Sequence, residues 1–135
     1  MLRIAVAGAS GRMGRMLVEA VAASSDFTLG GALEVADSPA LGSDPMAGLG
    51  KHGALRITAD LRAGLSGADV LIDFTRPEGT LAHLAVCRQL GVNAVIGTTG
   101  FSEAQKAQVA EHARHIAIVM APNMSLGVNV VLKLL

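Results

Sequence analysis

Short apolar runs alternate along this chain with longer segments whose apolar residues recur at helical spacing. The first run, Leu2–Ala7, leads into Gly8, and a helical pattern then continues to the polar break at residues 24–26. The apolar positions of that helical pattern are Met13, Met16, Leu17, Ala20 and Val21. This order of patterns predicts a strand, a tight turn and a helix.

The same alternation continues to the end of the chain. It predicts strands at Phe27–Leu33, 70–72, 94–96 and 116–120, and a short strand around Ile57. It predicts helices at Pro77–Leu90, capped by Gly91, at 102–115, and from Ser125 onward. Residues 37–53 have the composition of a surface loop. We therefore predict an α/β fold: a Rossmann-like, doubly wound, mostly parallel sheet with helices on both faces and ligands at the carboxyl ends of its strands.

Length and charge limit what such a fold can do. A chain of 135 residues can form one domain with a core but leaves little room for two. Lys plus Arg number 11 and Asp plus Glu number 11, so no positive excess attracts nucleic acid or an anionic membrane, and we expect neither as a partner. Cys87 is the only cysteine, and the first apolar run is too short for a secretory signal, so we expect a cytoplasmic protein.

The turn after the first strand is rich in glycine. Residues 8–14 read GASGRMG, a G-x-x-G-x-x-G spacing in which Ser10 stands where the commoner fingerprint has a glycine. Glycines here make the tight turn, admit a pyrophosphate and let the helix pack on the strand, while free N–H groups and the helix dipole attract the anion. Arg12 lies within this loop and could neutralise the pyrophosphate, whereas we expect Arg15 on the exposed helix face.

A carboxylate follows at the distance that dinucleotide binding requires. Glu34 ends the second strand, 20 residues after Gly14, where it can accept hydrogen bonds from an adenosine ribose. The alternative is that the glycines make only a tight turn and that Glu34 is an ordinary solvated carboxylate. The combination of strand, glycine turn, helix and acidic residue favours the dinucleotide interpretation.

Three later strand ends carry a second set of small and polar residues, at 74–76, 97–100 and 121–124. The ends of parallel strands converge on one crevice, so these residues can meet a nicotinamide carboxamide or a carboxylated substrate. The alternative for the Thr and Asn residues among them is helix capping.

The histidines and the cysteine suggest no separate site. His83 and Cys87 lie four residues apart on one predicted helix, and a packing face explains both better than a nucleophilic pair does. His112 and His115 lie near a predicted helix C-terminus, where imidazole suits the dipole, and His52 lies in a loop. No set of His, Cys, Asp and Glu has the spacing of metal ligands, so we predict no metal site.

Four segments occur here in the same order as in a known family. They are VAGASGRMGR at 6–15, IDFTRPEGT at 72–80, VIGTTGF at 95–101 and NMSLGVN at 123–129. With them the whole chain resembles the dihydrodipicolinate reductases, also named 4-hydroxy-tetrahydrodipicolinate reductases. The resemblance implies NAD(P)H-dependent reduction of 4-hydroxy-tetrahydrodipicolinate, through its dehydrated form, to tetrahydrodipicolinate on the diaminopimelate route to lysine.

The resemblance also implies roles for individual residues toward NADH or NADPH. The pyrophosphate would lie at Gly8, Ala9, Ser10, Gly11, Arg12 and Met13, and the adenosine ribose at Glu34. The nicotinamide side would be lined by Gly97, Thr98, Thr99, Ala121, Pro122, Asn123 and Met124. Thr99 would also reach the substrate. Family members often carry an aromatic residue at the position of Met124, although a thioether can still pack on a flat ring.

Members of this family are about twice as long as this chain, so the resemblance implies a division into domains. We expect an NAD(P)-binding Rossmann domain at 1–127, and at 128–135 the start of a helix leading to a C-terminal substrate and tetramerisation domain that this chain lacks. The catalytic residues would lie beyond Leu135, the full-length protein would be a homotetramer, and this piece alone would be inactive.

Two other functions stay open from the sequence. One is a different NAD(P)-dependent dehydrogenase of amino-acid metabolism, such as those acting on homoserine or aspartate, because the same βαβ unit begins those enzymes. Residues 73–79 and 97–101 favour the reductase instead. The other is a non-catalytic nucleotide-binding module, which a chain without catalytic residues would also match.

Overall fold

The computed structural model describes residues 1–50 and 53–120. Its strands are β1 (Leu2–Ala7), β2 (Phe27–Leu33), β3 (Val70–Asp73), β4 (Asn93–Ile96) and β5 (Ile118–Met120). Its α-helices are α1 (Arg12–Ala23), α2 (Leu61–Leu65), α3 (Pro77–Leu90) and α4 (Glu103–His112), and a single 3-10 turn lies at Ala47–Leu49.

The strands form one parallel sheet in the order β2-β1-β3-β4-β5. Side chains alternate across β1, so Ile4 and Val6 enter the core under α1, while Ala5 and Ala7 enter the core on the opposite face. Residues of α2, α3 and α4 pack in that second core. The predicted α/β class, with helices on both faces of a doubly wound sheet, is confirmed.

Most predicted element ends lie within one to three residues of the observed ones. Helix α3 starts with Pro77 and is closed by Gly91, which adopts the left-handed conformation that favours glycine. The predicted helix 102–115 ends at His112 instead. Residues 113–115 form a tighter turn, in which the His115 N–H donates to the carbonyl of His112, three residues earlier. Met16, predicted on the apolar face of α1, is exposed.

The predicted strand around Ile57 is wrong. Ile57 is buried, but the segment pairs with the sheet only through a single parallel bridge between Thr58 and Leu33. Side-chain hydrogen bonds end the segment, since Thr58 accepts from the Asp60 N–H and Asp60 then caps α2. The bridge lies beyond β2, where the Rossmann strand order places its third strand. The sequence does not predict helix α2, because five residues are too few to show apolar residues recurring at helical spacing.

Helix α2 and the turn after it lie against β2 at backbone distance. A Cβ on Gly31 would overlap the Gly64 carbonyl, and a Cβ on Gly30 would lie 2.6 Å from the Gly67 carbonyl oxygen. Gly30 is also the extra residue of a bulge, since Ile4 pairs with Leu29 and Ala5 pairs with Gly31. Gly30, Gly31 and Gly67 let the two segments approach through their backbones, while Gly64 leaves room for the Leu33 side chain.

Some predictions fall on residues outside the described part. The helix from Ser125, the boundary between 127 and 128, and His52 all lie there, so the predicted division into domains stays a prediction. Within residues 1–50 and 53–120, no helix has the length and apolar character needed to cross a membrane.

Candidate functional site

The glycine turn between β1 and α1 uses its three glycines in different ways. Gly8 has a φ of 70°, which L side chains rarely adopt. A Cβ on Gly14 would overlap the Gly8 carbonyl oxygen, so this glycine lets α1 pack on the turn. A Cβ on Gly11 would lie 3.3 Å from the same oxygen, at a backbone conformation open to any residue. The turn is tied to β2 because the N–H groups of Gly8 and Ala9 both donate to the Leu33 carbonyl.

The N-terminus of α1 has no anionic partner from its own residues. Gly11 is the N-cap and supplies no capping side chain, and the first turn contains no acidic residue. The N–H groups and the positive end of the helix dipole therefore face the turn, which is the arrangement that binds phosphate groups.

Glu34 lies beside this turn, directly after β2. Its Oε2 accepts hydrogen bonds from the Ser10 N–H, at 2.9 Å, and from the Ser10 hydroxyl, at 2.5 Å. Its Oε1 accepts from the Val35 N–H at 3.2 Å. The predicted neighbourhood of the glycine turn and Glu34 is thus present in the structure.

A cavity of about 700 Å³ runs from this turn along the carboxyl ends of the strands. Five of the predicted cofactor residues line it: Gly8, Gly11, Arg12, Met13 and Glu34. Its opposite wall comes from residues 74–76 and from Gly79 and His83 of α3. Ala9 and Ser10 instead line a second cavity of about 510 Å³ on the other side of the turn, together with Arg15.

The predicted nicotinamide residues have a different placement. Gly97 lies under the Phe74 ring, because a Cβ there would overlap the ring atoms. The Thr98 hydroxyl accepts from the Thr75 N–H at 3.0 Å and lies 2.8 Å from the Thr80 hydroxyl, so it is engaged inside the protein. Thr99 is exposed. The residues 97–99 adjoin the wall formed by 74–75 without lining the cavity itself, and Ala121, Pro122, Asn123 and Met124 lie outside the described residues.

A carboxylate at the end of β3 connects this wall to α3. Asp73 is fully buried, and its Oδ1 accepts from both the N–H and the hydroxyl of Thr75, at 3.0 and 2.6 Å. Its Oδ2 lies 2.6 Å from Nδ1 of His83. Because a carboxylate only accepts, this contact places a proton on Nδ1 and orients the imidazole that lines the cavity.

Sequence analysis missed this pair, since it assigned His83 to a packing face with Cys87. The signal that could have found it is Asp73 itself. A carboxylate that ends a buried apolar strand needs hydrogen-bond donors, and His83 lies within the next helix.

Cys87 is fully buried, and the structure supports the packing interpretation for it. Burial is the largest cause that raises the pKa of the Cys87 thiol to about 12, and the Asp73 charge adds to it. The thiol therefore stays protonated under ordinary conditions.

Cys87 gives a prediction for thiol chemistry. At about pH 8 we expect an alkylating reagent to leave it unmodified in the folded chain and to modify it fully in denaturant, because only the thiolate reacts. Mass spectrometry measures the outcome, and rapid modification of the folded chain would contradict this placement.

The same thiol should make stability depend on pH. Between about pH 9 and about pH 12 the folded thiol keeps its proton while the unfolded one, with a pKa near 9.0, loses it. The free energy of unfolding should therefore fall as the pH rises through this range.

The other histidines in the described part of the chain, His112 and His115, form no site. Burial lowers the pKa of His112, with the Arg88 charge next, and its Nδ1 has no hydrogen-bond partner among the described residues. The lowered pKa favours the neutral ring at His112. His115 is exposed and lies past the end of α4. In residues 1–50 and 53–120 no group of three or more His, Cys, Asp or Glu is placed to hold a metal ion.

The sequence of this chain matches a known family and several named proteins. The family profile described as "Dihydrodipicolinate reductase, N-terminus" matches residues 2–124. The 4-hydroxy-tetrahydrodipicolinate reductase of Cupriavidus pinatubonensis is 62% identical over 134 residues, which are 99% of this chain and 51% of that protein. The protein of the same name from Herminiimonas arsenicoxydans is 58% identical over 99% of this chain and 50% of its own length. The chain thus spans about half the length of the curated relatives it matches.

Solved structures agree with the sequence comparison. The dipicolinate-bound dihydrodipicolinate reductase of Paenisporosarcina sp. TG-14 superposes with a TM-score of 0.71 at 28% identity, over 91% of this chain and 48% of that one. An amine dehydrogenase from Mycobacterium smegmatis reaches a TM-score of 0.69 at 21% identity, over 88% of this chain and 38% of that one. The second likeness is one of fold alone.

Proposed function

The chain belongs to the dihydrodipicolinate reductase family, and from this membership we propose that its 700 Å³ cavity binds a nicotinamide dinucleotide, NADH or NADPH. The observation that carries the proposal is the shared cavity wall of the glycine turn and Glu34. A pyrophosphate needs close approach to backbone N–H groups, and an adenosine ribose needs a carboxylate one strand away. The glycine turn with its N–H groups and the Glu34 carboxylate line the same side of this cavity.

The residues fit the cofactor in order along the cavity. The pyrophosphate lies at the start of α1, where Gly11 leaves open the space a side chain would fill and Arg12 supplies a positive charge. The adenosine ribose lies at Glu34. The nicotinamide half then extends toward Phe74, Thr75 and Arg76.

We assign the nicotinamide side to the next strand end as well. Gly97 and Thr98 support the wall through the contact of Gly97 with Phe74 and the bond of Thr98 to Thr75, and Thr99 is included from the family resemblance. Ala121, Pro122, Asn123 and Met124 complete this part of the proposal from the family resemblance. When it is bound, the reduced nicotinamide supplies a hydride.

For the whole protein we propose reduction of 4-hydroxy-tetrahydrodipicolinate, through its dehydrated form, to tetrahydrodipicolinate. The relatives carry that name, and their activity requires the cofactor site that this chain contributes. The chain's own residues bind and orient the cofactor, and we give no described residue the role of proton donor. From the same resemblance we propose a cytoplasmic homotetramer.

Neither alternative function has comparable support. Proteins such as the amine dehydrogenase match at the level of fold alone, so they do not favour a different dehydrogenase. A non-catalytic nucleotide-binding module is disfavoured because the relatives at 56–62% identity are named as reductases. Full-length protein incubated with NADH and freshly generated substrate tests the activity through the absorbance of the reduced nicotinamide, and absence of turnover would overturn it.

We predict that NADH binds at least as tightly as NADPH. Glu34 accepts from ribose hydroxyls but repels a 2′-phosphate, and the next side chain, Val35, is 64% exposed and carries no charge to offset the repulsion. Fluorescence titration of the chain with both cofactors measures the two dissociation constants.

The matched control for this preference is Glu34→Gln, which keeps an acceptor for Ser10 while removing the negative charge. It should reduce the preference for NADH about tenfold, or about 1.4 kcal/mol. A tenfold preference of the unmodified chain for NADPH would mean that a cation such as Arg12 reaches the phosphate and that the role given to Glu34 is wrong.

A further inference from the structure

The Glu34 carboxylate is held by three donors before any ligand binds. Two come from Ser10, whose N–H and hydroxyl both bind Oε2, and the third is the Val35 N–H on Oε1. Ser10 and Glu34 are 24 residues apart in the chain, so this contact connects the glycine turn to the end of β2. A half-buried side chain with this many partners has lost most of its rotamer freedom.

Ser10 approaches the carboxylate from outside the ligand cavity. Glu34 lines the cavity of about 700 Å³, whereas Ser10 lines the second cavity of about 510 Å³. The serine hydroxyl therefore supports the carboxylate from behind and does not occupy the space of the ribose. Ser10 takes two acceptor positions on Oε2 and Val35 takes one on Oε1, which leaves a position on Oε1 for a ribose hydroxyl.

This chain has a serine where the commoner fingerprint has a glycine. A glycine, as in the commoner fingerprint, would keep the backbone N–H to Oε2 and would lose the hydroxyl bond. Glu34 would then have one donor fewer and could rotate away from a ligand.

We propose that Ser10 is a positioning residue that sets cofactor specificity by holding the Glu34 carboxylate toward the adenosine 2′ position. An already oriented carboxylate binds the ribose diol without a further loss of rotamer freedom, which favours NADH. The same carboxylate cannot turn away from a 2′-phosphate, so its negative charge disfavours NADPH at close range. This inference rests on the proposed dinucleotide site.

The test compares Ser10→Ala with Ser10→Thr in the full chain. The alanine variant keeps the backbone N–H and loses the hydroxyl, whereas threonine keeps both. We expect Ser10→Ala to weaken NADH binding and to leave NADPH binding unchanged or tighter, so that the ratio of the two dissociation constants shifts about tenfold. Ser10→Thr should keep the ratio of the unmodified chain.

A double-mutant cycle separates positioning from general damage to the turn. In a Glu34→Gln background, Ser10→Ala should no longer change the ratio, because the charge that it orients is gone. If the alanine variant fails to fold, Ser10→Gly supplies the same comparison with the smaller side chain of the commoner fingerprint.

The outcomes distinguish this inference from the proposal beneath it. Three results for Ser10→Ala would overturn the positioning role but not the dinucleotide site. They are equally weakened binding of NADH and NADPH, an unchanged ratio of their two dissociation constants, and tighter binding of NADH. Failure of the unmodified chain to bind either cofactor would overturn the site and the positioning role together.

Discussion

Replacing Gly11 with valine is expected to weaken dinucleotide binding at least 100-fold, or about 2.7 kcal/mol, while leaving the fold largely intact. Gly11 adopts φ −75° and ψ 174°, which valine tolerates, and its Cβ would point into space where the structure has only the Gly8 carbonyl oxygen at 3.3 Å. That space is where the pyrophosphate must approach the backbone. Thermal melts and cofactor titrations of both proteins measure the two effects.

The third glycine of the same turn is the matched control. A Cβ on Gly14 would overlap the Gly8 carbonyl, so Gly14→Ala must push α1 away from the turn and should lower stability as well as binding. If Gly11→Val melts at a lower temperature but binds the cofactor unchanged, then the turn is only structural and the proposed pyrophosphate site is wrong.

Replacing Asp73 with alanine is expected to lower the free energy of unfolding by about 3 kcal/mol or more. The substitution leaves two half-buried donors without the carboxylate, the Thr75 hydroxyl and Nδ1–H of His83, while the Thr75 N–H keeps the Thr98 hydroxyl as an acceptor. It also leaves a cavity at a fully buried position of β3. Urea denaturation of the chain near neutral pH measures the loss.

Asp73→Asn is the control for this substitution, because the amide oxygen can still accept from Thr75. With the amide nitrogen toward the ring, His83 would carry its proton on Nε2 instead, so we expect a smaller loss of stability. A loss below about 1 kcal/mol for Asp73→Ala would show that water or other groups satisfy these donors, and that Asp73 does not hold the wall of the cavity.

The strands and long helices could be predicted because each carries its own periodicity. Leu2–Ala7 is apolar apart from Arg3, and Pro77 and Gly91 mark the two ends of α3 in the sequence itself. The region around Ile57 could not be predicted in this way. Its one bridge to Leu33 depends on where β2 lies, and side-chain bonds of Thr58 and Asp60 override its apolar residues.

In the candidate site, too, one part could be predicted from the sequence and another could not. Glu34 and the glycine turn are separated by a spacing that the Rossmann fold makes constant, so the sequence was enough to predict that they meet. The bonds of Ser10 to Glu34 and of His83 to Asp73 depend on side-chain directions across two elements. Spacing alone does not encode those directions, and in the sequence Ser10 is only a departure from the commoner glycine fingerprint.

The close packing of α2 on β2 has a consequence for redesign of cofactor choice. Leu61 of α2 and Glu34 beyond β2 both line the ligand cavity. The contacts of Gly31 and Gly30 with the backbone carbonyls of Gly64 and Gly67 limit the distance between their two segments. A Cβ on Gly30 or Gly31 would overlap a backbone carbonyl oxygen of the facing segment, so a larger residue at either position would displace α2 or the turn after it. Libraries aimed at a bulkier or more charged adenosine ribose should therefore vary Val35 and Ala36, whose side chains are exposed at the cavity, and keep the four glycines constant.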